Sequence, residues 1–175
     1  MKYKTRYPLF SACGLNCGLC PRYYTDGSSR CHGCAGEGFD SVHPPCGVLS
    51  CCQRNGIEYC FECDGYPCKK YDGADLRDSF ITHKNQLADM KKAKQIGIAA
   101  YKAELDEKAG ILKLLLKSYD NGRSKSFYCL AVNLLDLQDI KSVMERIGRE
   151  TEAKEVVRLL GETAAQKNIS LKLRK

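Results

Sequence analysis

Residues 13–34 read Cys13-Gly-Leu-Asn-Cys17-Gly-Leu-Cys20-Pro-Arg-Tyr-Tyr-Thr-Asp-Gly-Ser-Ser-Arg-Cys31-His-Gly-Cys34, and the reading of this stretch decides the fold of the front of the chain. A Cys-x-x-Cys loop turns two sulfurs to the same side, and two such loops complete the four soft ligands of a tetrahedral zinc site. Cys17-Gly-Leu-Cys20 and Cys31-His-Gly-Cys34 are such loops, separated by ten residues in the manner of zinc knuckles and ribbons. Gly18 and Gly33 suit the tight turn. Working outward, Cys46, Cys51, Cys52, Cys60, Cys63 and Cys68 follow, so eleven of the twelve cysteines lie in residues 13–68 and Cys129 stands alone downstream.

The compartment decides what such density means. No run approaches the roughly 18 to 20 apolar residues of a membrane span, and the start MKYKTRYPLFSACG lacks the apolar stretch of a secretory signal. The expectation is a cytoplasmic protein, where thiols stay reduced and closely spaced pairs are read as metal ligands in preference to disulfides. A content of 43% hydrophobic and 28% charged residues is that of a globular chain. The window 13–68 is nevertheless poor in large apolar side chains and rich in Gly, Pro and Asp. Metal binding is expected to contribute the folding free energy that a hydrocarbon core would otherwise supply.

The ligand list is Cys17, Cys20, Cys31 and Cys34 for one ion and Cys46, Cys51, Cys60 and Cys63 for another, with Cys13 and Cys68 as substitutes or as ligands of a further ion. Zinc, in two or more ions, is the expected cofactor, and an iron–sulfur cluster is the alternative. Cys52 reads as a small spare thiol, and His32 and His43 as neighbours of the site. The spacing Cys13-x3-Cys17-x2-Cys20 also matches that of radical enzymes using S-adenosylmethionine. Those enzymes need strand–helix repeats behind the motif, and here helices follow.

The run from Cys13 through Cys31-His-Gly-Cys34 and Cys60-x-x-Cys63 to Tyr66-Pro67-Cys68 resembles a prokaryotic cysteine-rich family, catalogued as domain of unknown function 3795. The resemblance covers about residues 10–70, and Ile81-Thr-His-Lys and Lys94-Gln-Ile-Gly97 look like that family's downstream helix. It implies a zinc-binding module with no assigned reaction.

From about Asp75 the composition becomes that of an amphipathic helical domain without proline, giving a division into residues 1–72 and 73–175. The fold class is mainly α with little β. Helices are predicted over Phe80–Ile96, Ile98–Ala109 with a stop at Gly110, Ile111–Tyr119, a segment carrying the stripe Phe127, Leu130, Ala131, Leu134 and Leu135, a second carrying Ile140, Val143, Met144 and Ile147, and Thr151–Lys167. Within the cysteine window short helical turns are predicted after Pro21 and across Gly47–Asn55. The alternating end Ile169-Ser-Leu-Lys-Leu-Arg reads as a short strand or a tail.

One further feature precedes a helix start. Ser124 or Ser126 can cap it, yet Arg123 and Lys125 crowd an end whose dipole disfavours positive charge. An anion would resolve the conflict, so Arg123, Ser124, Lys125, Ser126 and Cys129 form a candidate small-anion site of an enzyme or sensor; the plainer reading makes Cys129 a core residue. The net charge of +7 splits as +2 over residues 1–70 (eight basic, six acidic) and +5 over the remainder (twenty basic, fifteen acidic). Each four-thiolate zinc site adds about −2 to the front, which argues against nucleic acid as the partner. Closed thiolate sites leave no position for water, so the expected role is structural or regulatory, without catalysis and with a protein partner.

Overall fold

The computed structural model describes residues 5–74, 76–148 and 150–175. Its α-helices are α1 (Phe39–Val42), α2 (Gly47–Asn55), α3 (Gln86–Ile96), α4 (Ile98–Tyr119), α5 (Lys125–Leu134), α6 (Leu137–Arg146) and α7 (Ala153–Gln166). No strand occurs among the described residues, so the fold is α-helical with a cysteine-rich front of short turns. Two compact units divide the chain: Met1–Lys102 with Leu173–Lys175, and Ala103–Lys172.

In the first unit, single turns of 3-10 helix cover Cys17–Leu19, Pro21–Tyr24, Gly27–Ser29, Cys60–Glu62 and Lys69–Tyr71. Pro21 opens its turn, where a residue with fixed φ and no N–H costs nothing. Helix α2 spans the predicted residues. Cys46 occupies its N-cap with the sulfur accepting from the Leu49 N–H at 3.5 Å, and Gly56, at φ 64°, ends it by donating to the Cys52 and Gln53 carbonyls. The apolar centre is more than the cysteine window can provide alone. Phe10 packs at a tilt against Tyr59 and Tyr101, at 5.5 and 4.7 Å between ring centroids, and Leu19 and Met90 are completely buried. Met90 and Tyr101 come from α3 and α4, beyond the last clustered cysteine.

Helix α3 starts six residues later than the predicted Phe80. Asp78 explains the delay: its carboxylate accepts the His83 N–H at 2.8 Å and the Thr82 hydroxyl at 3.4 Å, and both Arg174 N–H and its guanidinium at 2.7 and 2.8 Å. A side chain that takes nearby backbone donors competes with the first helical turns. Phe80 is left exposed with the Arg22 guanidinium over its ring. The tail 169–174 is irregular and forms no strand; the Ile169 N–H donates to the Ala164 carbonyl and the Asp78 N–H to the Arg174 carbonyl.

In the second unit the predicted stop at Gly110 is corrected, since α4 runs through it. Gly110 is open on its outer side, and the stripe Leu105, Ala109, Leu112 and Leu115 is buried without interruption across it. That packing outweighs the roughly 1 kcal/mol by which glycine disfavours a helix interior. Helix α7 packs on both α5 and α6, and Leu130, Ala131, Val132, Ile140, Val143, Val156, Leu159 and Leu160 of these helices are buried. Lys108 of α4 is buried, and its ammonium donates to the Leu135 carbonyl at 2.7 Å and the Asn133 carbonyl at 3.5 Å, covering the carboxyl end of α5.

Candidate metal centre

The segment 8–12 carries the cysteine loops. Its carbonyls accept in turn from the Gly18 N–H (on Leu9), the Cys34 N–H (on Pro8) and the Cys60 N–H (on Ala12), each at 2.9 Å. Gly33 permits this approach: at φ 90° it has no Cβ, and one placed there would sit 2.3 Å from the Pro8 oxygen. The same need for close backbone approach fixes Gly14, at φ 92°, where a Cβ would meet Met90 Cγ at 2.2 Å. Three cysteine loops separated by more than 40 residues are thereby tied to one short stretch of backbone.

All twelve cysteines are free thiols. Cys34 and Cys52 lie in an apolar cluster with Ala12, Phe39 and Leu49, against which Cys17, Cys31, Cys46 and Cys60 pack. Burial pushes the Cys17 thiol well up, reinforced by the neighbouring Cys34, Cys13, Cys20 and Cys31. Burial likewise pushes Cys34 up to about 12, with Cys13, Cys46 and Cys31 adding to it and the Ala12 N–H opposing it. Cys13, Cys17, Cys20, Cys31, Cys34 and Cys46 are therefore one electrostatic neighbourhood. A second forms around Cys60, raised by burial, with Cys68 and Cys51 nearby and Cys52 in contact at 3.6 Å.

Several of these cysteines have hydrogen-bond donors nearby. Burial raises Cys13, opposed by the Ser11 hydroxyl 3.1 Å from its sulfur and by the nearby Leu15 N–H and Gln86 carboxamide, which donate to the Ser11 hydroxyl and the Cys13 carbonyl. Cys20 has the Arg22 and Tyr23 N–H groups beside it, the latter donating to its carbonyl. The Tyr71 hydroxyl donates to the Cys13 carbonyl at 3.4 Å and lies beside Cys60; burial and Cys60 push it strongly up, so it stays a donor. Donors beside buried sulfur fit thiolate, and buried thiolate needs a cation.

The donor chemistry thus fits a soft divalent ion or an iron–sulfur cluster. Among the described residues, however, no group of three or more His, Cys, Asp and Glu side chains is arranged to hold an ion. Cys63 and Cys68 are exposed, and Cys31, Cys46 and Cys51 half-buried. His32 and His43 are exposed, with their Nδ1 atoms against the Glu37 and Pro44 carbonyl oxygens.

The segment before α5 is built differently from its sequence reading. Ser124 stands at the N-cap without a capping bond; its hydroxyl donates to Asn121 Oδ1. Asp120 accepts the Gly122 and Ser124 N–H groups, and Asn121 accepts that of Arg123. Arg123 and Ser126 are exposed, Lys125 is half-buried and Cys129 is buried at 1% exposure in the core of the second unit. The acidic residue three positions ahead of Lys125's neighbour Arg123 supplies negative charge to this end.

Sequence reasoning missed the side chains that hold the cysteine loops from a distance: Gln86, Asp89 and Tyr101. Asn16 donates to Asp89 at 2.8 Å and accepts from the Tyr101 hydroxyl at 2.9 Å, while Gln86 donates to the Cys13 carbonyl at 2.9 Å. The only local signal was a buried-type polar residue, Asn16, inside the first cysteine run.

With this geometry in place, residues 9–73 match the family model described as protein of unknown function (DUF3795). The resemblance read from the cysteine spacing is thereby shown for that segment. No curated protein and no solved structure matches the chain. No described helix is long and apolar enough to cross a membrane.

Proposed function

We propose that residues 9–73 form a structural metal module in which cysteine thiolates hold two or more zinc ions, and that the chain works in a reducing, cytoplasmic setting as a protein-interaction or regulatory factor. The observation that carries this reading is the gathering of the Cys17–Cys20, Cys34 and Cys60 loops on residues 8–12, with Cys17, Cys31, Cys46 and Cys60 packed against buried Cys34 and Cys52. One ion would draw its ligands from Cys13, Cys17, Cys20, Cys31, Cys34 and Cys46. Another would draw on Cys51, Cys60, Cys63 and Cys68. When bound, each ion supplies the positive charge that makes burial of thiolate favourable. The protein's own part is to bring the loops together on residues 8–12 and to shield the sulfurs from water.

Elemental analysis with an absorption spectrum, on protein purified anaerobically and reduced without metal-affinity tags, tests this reading. About two zinc ions per chain and a colourless solution are expected. A brown protein with iron and sulfide assigns the same ligands to a cluster, and a chain carrying no transition metal contradicts the proposal.

A further inference from the structure

We infer that residues 78–83 form a receptor for an arginine-bearing segment, one that this chain fills with its own Arg174, so that a partner's arginine enters only by displacing it. The inference is independent of the metal reading and gives the protein-interaction role a surface. Asp78 is the centre of the receptor. Its side chain has no exposure, and its carboxylate accepts the His83 N–H at 2.8 Å and the Thr82 hydroxyl at 3.4 Å. From Arg174 it accepts the backbone N–H at 2.7 Å and the guanidinium Nη2 and Nε at 2.8 and 3.3 Å. The Asp78 N–H in turn donates to the Arg174 carbonyl at 3.0 Å. Leu173–Lys175 are part of the first unit, although the preceding residues up to Lys172 belong to the second.

These bonds define what the receptor selects. Arg174 offers its own N–H and C=O to Asp78, so the occupant cannot lie inside a helix, where both groups are already used. The guanidinium places two N–H groups on one carboxylate oxygen while the backbone N–H takes the other. A lysine ammonium, a point charge without a planar fork, does not reproduce that arrangement. Withdrawing Arg174 would leave the carboxylate with the His83 and Thr82 donors and without its guanidinium counter-charge, a state that favours a replacement guanidinium. The grip centres on one residue: Leu173, at 41% exposure, and Lys175 face solvent, so exchange uncovers little apolar surface. Leu76 and Phe80, two residues to either side of Asp78, are 70% and 65% exposed and offer apolar surface to a longer partner segment.

The test uses the full chain, isotopically labelled for amide NMR, with the peptide Ile-Ser-Leu-Lys-Leu-Arg-Lys, the sequence of residues 169–175, as probe. The amide signals of Asp78 and His83 are followed, since both N–H groups belong to the contact. Added to Arg174→Ala, the peptide is expected to move both signals back toward their wild-type positions. Wild type should respond at least about tenfold more weakly, because its tethered segment competes at an effective concentration on the order of millimolar. A peptide with lysine in place of arginine should bind Arg174→Ala about tenfold more weakly. No movement in Arg174→Ala, an equal response in wild type, or equal binding of the lysine peptide overturns the inference, and the metal reading stands in each case. Should Arg174→Ala fail to fold, Arg174→Lys, which keeps the charge, takes its place with the same expectations.

Discussion

Asn16 Nδ2 donates to Asp89 Oδ2 at 2.8 Å, joining the first cysteine run to α3 across 73 residues of sequence. Asn16 is 3% exposed, and its other amide atom is taken by the Tyr101 hydroxyl. Replacing it with Leu keeps the volume, removes one of the donors to the Asp89 carboxylate, which Asn85 also contacts, and takes away the acceptor of the Tyr101 hydroxyl. Asn16→Leu is expected to lower stability by about 2 kcal/mol or more, a fall of roughly 4–8 °C in melting temperature for a chain of this size. Calorimetry on the reduced protein checks it.

Gly14 and Gly33 are expected to reject alanine for a stated reason, positive φ together with a backbone oxygen in the way, at 2.8 and 2.3 Å from the added Cβ. Gly38, also at positive φ, has open space around it. Gly33→Ala and Gly14→Ala should each cost more stability than Gly38→Ala, by about 1 kcal/mol or more. Chemical denaturation of the three variants ranks them, and equal midpoints would remove the argument for close approach.

Cys52 touches Cys60 at 3.6 Å but sits at 1% exposure among Ala12, Phe39 and Leu49. In the proposed module Cys52 packs and Cys60 is a ligand. Cys52→Ala should keep the metal-to-protein ratio and lose about 1 kcal/mol of stability, whereas Cys60→Ala should lose part of the metal. A Cys52→Ala protein short of a whole ion would place Cys52 among the ligands.

The Asp78 carboxyl is brought down to about 2. Burial alone would raise it, but the bonds from the Arg174 guanidinium and from the His83 and Arg174 N–H groups outweigh that. A depressed carboxyl contributes stability that is complete above its ordinary value of 3.8 and is lost as pH falls through 2, at most about 2 kcal/mol here. Arg174→Gln should therefore raise the Asp78 value toward the ordinary one, as read by carboxyl-carbon NMR titration. Its destabilisation should be full above pH 4 and shrink toward pH 2.

Much of this was legible from local chemistry. The loops Cys17–Cys20 and Cys31–Cys34, the bounds of α2 and the break at Gly97 each depend on neighbours within a few residues. The late start of α3 was not legible, because Arg174 lies 96 residues from Asp78. Gly110 was misread because glycine propensity is weak beside an unbroken apolar stripe. Ser124 was misread because its hydroxyl donates to Asn121 Oδ1 in place of accepting a helix N–H. In the candidate site, the cysteines announced themselves by spacing, while their supports, Gln86, Asp89 and Tyr101, are ordinary helix residues whose role exists only once the chain is folded.

The central claim is that bound metal, through the cysteines, organises residues 9–73. Hydrogen exchange measured by mass spectrometry, before and after a strong chelator is added to the reduced protein, tests it most directly. The account predicts that amides at Leu9–Asn16, Cys31–Cys34 and Cys60 lose protection on chelation while those of α5–α7 keep theirs. Unchanged protection around the cysteines after complete metal removal would contradict it.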